Sequence, residues 1–169
     1  LGRLTETLLS AARLESGRHD LRPGPLDLVE LVRAEMDRAA RHGARLELKA
    51  PERLPARVDP EAMRMVVGNL LDNALKYGPA DGPVDVSLDL SDNGATLVVA
   101  DRGPGVPAGE RQAIFRRFHR GGDEETRRTK GTGLGLYLVG RTLEAMGGSV
   151  LVGDRPGGGA IFTATFPIS

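Results

Sequence analysis

A β-hairpin signal in the middle of the chain constrains the fold more than any other feature. Residues 84–90, Val-Asp-Val-Ser-Leu-Asp-Leu, alternate apolar and polar side chains as a half-buried strand requires. Asp92-Asn93-Gly94 predicts a tight turn, and residues 96–100 a returning, more apolar strand. Just before the hairpin, Asp59-Pro60-Glu61 predicts a helix start with an N-cap carboxylate and proline at the first helical position. This helix is expected to end near Gly78.

The remaining segments also predict helices that are followed by pairs of strands. Asp27 is suited to capping a helix that runs toward Gly43. Beyond it, the pattern predicts strands at 45–49 and 56–58, a short helix at 108–118, a mobile loop at 121–133, a helix at 134–146 and a final hairpin with strands at 149–153 and 160–166. Because strands and helices do not alternate strictly, we expect an α+β fold. We predict a two-layer sandwich, with helices on one face of a mixed, mostly antiparallel sheet.

The first residues predict a separate helix. Leu1, Leu4, Leu8 and Ala11 recur at spacings of three and four, as in a coiled-coil seam. Ser16-Gly17 should end this helix, and residues 21–25 contain Arg-Pro-Gly-Pro, a breaker cluster that we interpret as a hinge. The predicted organisation is therefore the end of a helical bundle over residues 1–20 and a compact domain over residues 21–169.

Composition excludes several classes of protein. The 169 residues include 23 basic and 23 acidic side chains, and this balance argues against a nucleic-acid binder. Cysteine is absent, which excludes a disulfide framework and thiolate metal sites. No apolar run approaches the roughly 20 residues of a membrane span. We therefore expect a cytoplasmic domain. Because the chain opens in mid-helix without an initiator Met, we expect it to be a piece of a longer protein.

The helix before the hairpin contains an unusual polar stripe within NLLDNALKYG, residues 69–78. Asn69, Asn73 and Lys76 fall within about 60° of arc, with Tyr77 at the edge. An amide oxygen can ligate Mg²⁺, and a lysine can contact phosphate oxygens. For the helix alone, a stripe that simply faces water explains the pattern equally well.

Three glycine-bearing segments follow. DRGPG, residues 101–105, comes directly after an apolar strand, where its carboxylate could accept a hydrogen bond from an exocyclic amine. KGTGLGL, residues 130–136, leads into a helix whose free N–H groups could meet a polyphosphate, although it fits neither a Rossmann nor a Walker A spacing. Residues 157–159 are Gly-Gly-Gly, which a hairpin turn explains without any ligand.

Together, NLLDNALKY, DRGPG, IFRRFHR at 114–120, GTGLGL and GGG occur in an order that resembles the catalytic ATP-binding domain of sensor histidine kinases. In that family they are the N, G1, F, G2 and G3 boxes, on the Bergerat fold of the GHKL superfamily. The segment LLSAARLESGRHDLRPGPLDLVELV, residues 8–32, similarly resembles the junction from the second dimerisation helix. The resemblance covers essentially the whole chain.

The resemblance implies roles for individual residues. Asn73 would ligate Mg²⁺, Lys76 would contact phosphates, and Tyr77 would lie against adenine. Asp101 would accept the adenine amino group. Phe115 and Phe118 would anchor the loop. The complete set of residues that the resemblance assigns to ATP is Asn69, Asn73, Lys76, Tyr77, Asp101, Gly103, Gly105, Val106, Arg120, Lys130, Gly131, Thr132, Gly133, Leu134, Gly135 and Leu136.

Within this set, Arg120 would reach the γ-phosphate, and Gly131, Gly133 and Gly135 would hinge a lid over the nucleotide. For Lys130, a solvated charge is an equally good interpretation.

Asn69 separates two functions within the superfamily. In the related gyrase, Hsp90 and mismatch-repair ATPases this position is a glutamate that activates water, and an amide cannot act as a general base. The resemblance therefore implies a kinase that holds ATP without efficient hydrolysis. An ATPase of the superfamily and a degenerate nucleotide-sensing module are the alternatives.

The phosphate acceptor is expected upstream of the chain. His19, His42 and His119 lack the acceptor context of the family, and each fits a surface or capping role better. The implied partners are the chain's own dimerisation and phosphoacceptor domain and the receiver domain of a response regulator. The resemblance implies a homodimeric full-length protein in the bacterial cell membrane, with this piece in the cytoplasm and monomeric by itself.

Overall fold

The computed structural model describes residues 2–17, 20–119 and 133–169. Four helices and seven strands make up the described chain. In chain order they are α1 (Gly2–Glu15), β1 (Gly24–Asp27), α2 (Leu28–Ala39), β2 (Leu46–Lys49), β3 (Pro55–Val58), α3 (Pro60–Tyr77), β4 (Val84–Ser91), β5 (Gly94–Ala100), α4 (Gly135–Ala145), β6 (Ser149–Asp154) and β7 (Ala160–Phe166).

The main sheet has five strands in the order β2-β4-β5-β7-β6. Only the β2–β4 pair is parallel, and the other three pairs are antiparallel. The register places Val99 opposite both Val86 and Phe162. The predicted mixed, mostly antiparallel sheet is confirmed, as are both predicted hairpins.

Helices α2, α3 and α4 supply the second layer. Alternate residues of β4, β5 and β7 are buried, as a sheet with one covered face requires. Leu97, Val99 and Phe162 join Leu70 and Leu143 of the helices in one hydrophobic core. The predicted two-layer α+β sandwich is therefore confirmed.

Carboxylates fix the starts of two of these helices. Asp59 Oδ1 accepts from the N–H of Ala62, and its Oδ2 accepts from the N–H of Arg22 at 2.7 Å. Asp27 caps α2 by accepting from Val29 and also from the N–H of Leu54, each at 3.0 Å. The bond from Leu54, followed by that from Val29, holds the pKa of Asp27 below its usual value.

Two predictions of local structure need correction. The predicted hinge at 21–25 overlaps β1, which begins at Gly24 and pairs antiparallel with β3 in a separate two-stranded sheet. The predicted helix at 108–118 is instead two single 3₁₀ turns, Ala108–Glu110 and Ala113–Phe115. Most of the predicted mobile loop lies outside the described residues.

Helix α1 contacts the domain through a small apolar cluster. Ala11 and Leu14 are buried against Leu138 of α4 and Met65 of α3. Glu15, the last residue of α1, forms an ion pair with Arg117. None of the helices in the described ranges is both long and apolar enough to cross a bilayer.

Candidate nucleotide-binding site

Two adjoining clefts lie between α3, the end of β5 and the start of α4. The inner cleft has a volume of about 470 Å³ and is lined by Asp101, Gly105 and Val106. The outer cleft, of about 190 Å³, is lined by Lys76, Gly133 and Gly135. Five residues line both clefts, namely Asn73, Tyr77, Ile114, His119 and Leu136. The shared walls make the two clefts neighbouring parts of one site.

Asp101 lies in the wall of the inner cleft. It directly follows β5, and only 2% of its surface is exposed. Its Oδ1 accepts from the N–H groups of Gly103 at 2.8 Å and Ala160 at 3.3 Å. Within the described residues Oδ2 accepts no hydrogen bond, so this oxygen can accept one from a ligand.

Glycines allow the backbone around Asp101 to pack without side chains. A Cβ on Gly159 would lie 2.8 Å from the carbonyl carbon of Asp101 and would overlap the carbonyl oxygen. A Cβ on Gly103 would overlap the carbonyl oxygen of Tyr77 in the same way. The last glycine of the GGG turn is therefore required by the packing of Asp101, which a hairpin-turn interpretation of this segment did not anticipate.

The polar stripe of α3 divides between the clefts. Asn73 and Tyr77 line both clefts, and Lys76 lines the outer one with its ammonium 5.0 Å from the centre of the Tyr77 ring. Asn69 lines the outer cleft too, but its amide N–H donates to the carbonyl of Met65 at 2.8 Å. The stripe therefore lines the two clefts.

The start of α4 closes the outer cleft. Gly133 has a left-handed φ of 69°, and α4 begins two residues later. A Cβ on Gly135 would lie 2.9 Å from Oδ1 of Asn69, so this glycine lets α4 approach α3 closely. The first-turn N–H groups of a helix carry a partial positive charge that favours anions.

Not every predicted site residue lines a cleft. Ten do so: Asn69, Asn73, Lys76, Tyr77, Asp101, Gly105, Val106, Gly133, Gly135 and Leu136. Gly103 lies behind the cleft wall, against Tyr77, and the side chain of Leu134 is buried in the interior. The predicted residues Arg120, Lys130, Gly131 and Thr132 lie outside the described part of the chain, and so does His19.

The segment before residue 120 adds Ile114 to the predicted site residues. Ile114 lines both clefts, and Phe115 packs edge-on against Phe162 with ring centres 6.2 Å apart, as an anchor would. Phe118 is not an anchor of this kind, because its ring is 54% exposed and faces Arg117. His119 is partly exposed as a residue, but its Nε2 is buried.

Comparison with known proteins identifies the family. The model of the histidine kinase-, DNA gyrase B- and HSP90-like ATPases matches residues 58–169. This chain belongs to that family. The match covers α3, the end of β5, α4 and the final hairpin, which together surround both clefts.

The relatives within this ATPase family are sensor histidine kinases. TmoS of Ectopseudomonas mendocina is 36% identical over 168 residues, which are 96% of this chain and 17% of TmoS. The structure of full-length ShkA in complex with AMPPNP has a TM-score of 0.83 at 32% identity, covering 99% of this chain and 35% of ShkA. The mycobacterial sensor histidine kinase MprB has a TM-score of 0.76 at 30% identity, covering 87% of this chain and 98% of that one.

These comparisons confirm the resemblance that the ordered sequence motifs indicated. The fold and the family are those of the ATP-binding domains of sensor histidine kinases. The chain spans less than one fifth of TmoS.

Proposed function

We propose that this chain is the catalytic ATP-binding domain of a sensor histidine kinase. It binds Mg-ATP across the two clefts and supplies the γ-phosphoryl group to a histidine on the dimerisation domain of its own protein. A receiver domain of a response regulator then takes the phosphoryl group onto an aspartate. The complete protein would be a homodimer in the bacterial membrane, with this domain in the cytoplasm.

The environment of Asp101 is the observation that carries this proposal. Its Oδ1 is satisfied by two backbone N–H groups, whereas its Oδ2 accepts nothing within the described chain. Asp101 lines the inner cleft, and a ligand N–H group that reaches Oδ2 would gain a hydrogen bond that the described chain does not supply. The exocyclic amine of adenine is such a donor. Tyr77, Gly105 and Val106 then provide the walls for a flat, largely apolar ring.

The outer cleft has the chemistry of a phosphate site. Lys76 supplies a cation, and the amide oxygen of Asn73 is a hard ligand of the kind that Mg²⁺ accepts. Gly133 and Gly135 bring backbone N–H groups and the positive end of α4 to the same space. The proposed contacts of Arg120, Lys130, Gly131 and Thr132 would complete this part of the site.

Phosphoryl transfer needs positioning and charge neutralisation more than covalent help from the protein. Lys76, Asn73 and the start of α4 would hold the triphosphate in place. Asn69 cannot take a proton from water, and its N–H is already committed to the carbonyl of Met65. The site therefore favours transfer to a histidine over hydrolysis. The bond to the leaving ADP oxygen breaks as the bond from phosphorus to an imidazole nitrogen forms.

Replacing one carboxylate oxygen of Asp101 with an amide NH₂ group tests the adenine contact. Calorimetry should show Mg²⁺-dependent binding of ATP, with weaker binding of inosine triphosphate, which has a carbonyl where ATP has the amine. Asp101→Asn should weaken ATP by about tenfold and reverse this preference, because its amide N–H₂ donates to a carbonyl. Asp89→Asn, on an exposed part of β4, is the control and should leave both affinities unchanged.

A phosphotransfer assay distinguishes the proposed kinase from an ATPase and from a nucleotide-sensing module. The upstream helical domain is added in trans with ATP labelled in the γ-phosphate. Acid-labile, alkali-stable labelling of that domain supports the kinase, whereas released phosphate without labelled protein supports an ATPase. Nucleotide binding with neither product supports a sensing module. Absence of nucleotide binding in the presence of Mg²⁺ overturns the proposal as a whole.

A further inference from the structure

The burial of Phe118 and His119 is the opposite of what the polarity of their side chains predicts. The apolar ring of Phe118 is 54% exposed, and the polar Nε2 of His119 is buried. Burial of an aromatic ring is favourable, and burial of an imidazole nitrogen without a partner is not. The arrangement therefore costs free energy at two consecutive positions, which calls for a compensating role.

The backbone enforces this inversion. Phe118 has a φ of 59°, and it is the one non-glycine residue of the described chain with a positive φ. The N–H of His119 donates to the carbonyl of Arg116 at 3.2 Å, which tightens the turn. Gly133 packs on the other side, where a Cβ would lie 2.9 Å from the carbonyl oxygen of His119. Strained non-glycine residues of this kind concentrate at functional sites.

The Nε2 of His119 is buried without a hydrogen-bond partner in the described part of the chain. Buried polar atoms in native proteins are nearly always paired, and an orphan is explained by a partner that arrives with a ligand or a water. The imidazole ring forms part of the walls of both clefts. A histidine ring rotates readily about its Cβ–Cγ bond, and such a rotation would bring the nitrogen edge to the clefts.

We propose that His119 binds the sugar–α-phosphate end of the nucleotide through Nε2. The inference rests on the proposed function, because it takes Asp101 as the adenine end of the site and Lys76 as the phosphate end. His119 lies between these ends, in the walls common to both clefts. The atoms that bridge adenine and the β-phosphate are the ribose and the α-phosphate. Both present oxygens that an imidazole N–H can bond.

Two substitutions at position 119 test the inference. His119→Leu removes the nitrogen and fills similar space with apolar atoms, whereas His119→Gln keeps a hydrogen-bond donor of similar reach. Calorimetry on the full chain measures the binding of ADP, AMP, adenosine and the 2′- and 3′-deoxy forms of ADP. We expect His119→Leu to weaken ADP and AMP by about tenfold and His119→Gln to recover most of this loss.

The ligand series identifies which oxygen is bound. If it belongs to the α-phosphate, adenosine binds wild type and His119→Leu equally. If it is a ribose hydroxyl, adenosine is weakened as well, and the deoxynucleotide without that hydroxyl binds both proteins equally. Either pattern supports the inference. An ADP affinity changed by less than twofold in His119→Leu overturns it.

Stability and spectroscopy separate binding from a structural role. Without nucleotide, His119→Leu should unfold at the same or a higher denaturant concentration than wild type, because an unpaired buried nitrogen is removed. A lower midpoint together with equal losses in both variants would indicate a structural role and overturn the inference. In protein labelled with ¹⁵N-histidine, the Nε2 resonance of His119 is assigned as the one that is missing from the spectrum of His119→Gln. We expect AMP to shift this resonance. An unshifted resonance at saturating AMP also overturns it.

Failure of this inference is distinguishable from failure of the proposed function. If wild type binds ADP and Asp101→Asn weakens it, but His119→Leu does not, only the role of His119 is wrong. If wild type binds no adenine nucleotide, the proposed function and the role of His119 fall together.

Discussion

Gly159 shows how a single missing side chain shapes the proposed adenine end of the site. Its φ of 110° strains any other residue, and a Cβ there would overlap the carbonyl oxygen of Asp101. We expect Gly159→Ala to destabilise the fold by more than about 2 kcal/mol and to weaken ATP by over tenfold, because Asp101 must move. Urea denaturation and calorimetry measure the two effects.

Gly158 is the matched control for that substitution. Its φ of 106° is similar, but a Cβ on Gly158 would meet nothing within 4 Å. Gly158→Ala should therefore cost only backbone strain, about 1 kcal/mol, with ATP affinity unchanged. Equal losses of affinity in the two variants would show that the approach of Gly159 to Asp101 does not position the carboxylate.

Asp27 gives the stability of the chain a pH dependence of defined sign. Backbone hydrogen bonds lower its folded-state pKa below the ordinary 3.8, so its contribution is present above that value and is lost as the pH falls through the folded pKa. Asp27→Asn should lower the urea midpoint at pH 7, and the difference from wild type should shrink below about pH 4. Glu61→Gln removes only an exposed pair with Arg64 and should change little at either pH.

Contact between α3 and α4 depends on one glycine at the start of α4. We expect Gly135→Ala to destabilise the chain by about 1 kcal/mol, because a Cβ would lie 2.9 Å from Oδ1 of Asn69, whose side chain is held by its bond to Met65. Asn69→Ala should relieve that contact, giving a coupling of about 1 kcal/mol in a double-mutant cycle. Urea denaturation of the four proteins measures it.

Gly140, within the same helix, serves as the control for position 135. A Cβ there would meet Phe115 only at 3.9 Å, an ordinary packing distance. Gly140→Ala should therefore stabilise the chain by up to about 1 kcal/mol through helix propensity. A stabilising effect of Gly135→Ala as well would mean that α4 does not pack on Asn69 as described.

Secondary structure could be predicted from the sequence wherever local signals and tertiary contacts agree. Asp59-Pro60 starts α3, and the alternation at 84–90 is β4. The sequence predicts a breaker at Pro25, but Pro25 lies in β1, which among the described strands pairs with β3 alone, and an edge strand tolerates a missing N–H. At 108–118 the helical spacing was misleading, because so short a helix is marginal in isolation and the packing of Ile114 and Phe115 decides the backbone.

The sequence predicted which segments form the site. It did not predict how their side chains are arranged around the clefts. The ordered motifs supplied Asn73, Asp101 and Gly135, which line the clefts although they lie far apart in the chain. Relative burial of Phe118 and His119 was not predictable. It depends on a left-handed backbone residue and on packing against Gly133, which is distant in sequence. Polarity alone predicts the opposite orientation of the two side chains.

The division into residues 1–20 and 21–169 stays a prediction, and the contacts of α1 define how to test it. Two of its contacts are Leu14, packed on Leu138 and Met65, and the ion pair of Glu15 with Arg117. Burial of one leucine contributes about 1.5–3 kcal/mol, and a half-exposed ion pair adds little. This is less than the roughly 5–15 kcal/mol by which folded domains are stable.

We therefore expect the chain without residues 1–20 to unfold in one cooperative transition and to bind ATP within about threefold of the full chain. In the full chain, Leu14→Ala should lower the stability of the docked helix, whereas Leu9→Ala, at a 53% exposed position, should not. Circular dichroism on heating and calorimetry check both. A shortened chain that fails to fold would show that α1 belongs to the core of the domain, because the loss would far exceed the contacts of Leu14 and Glu15.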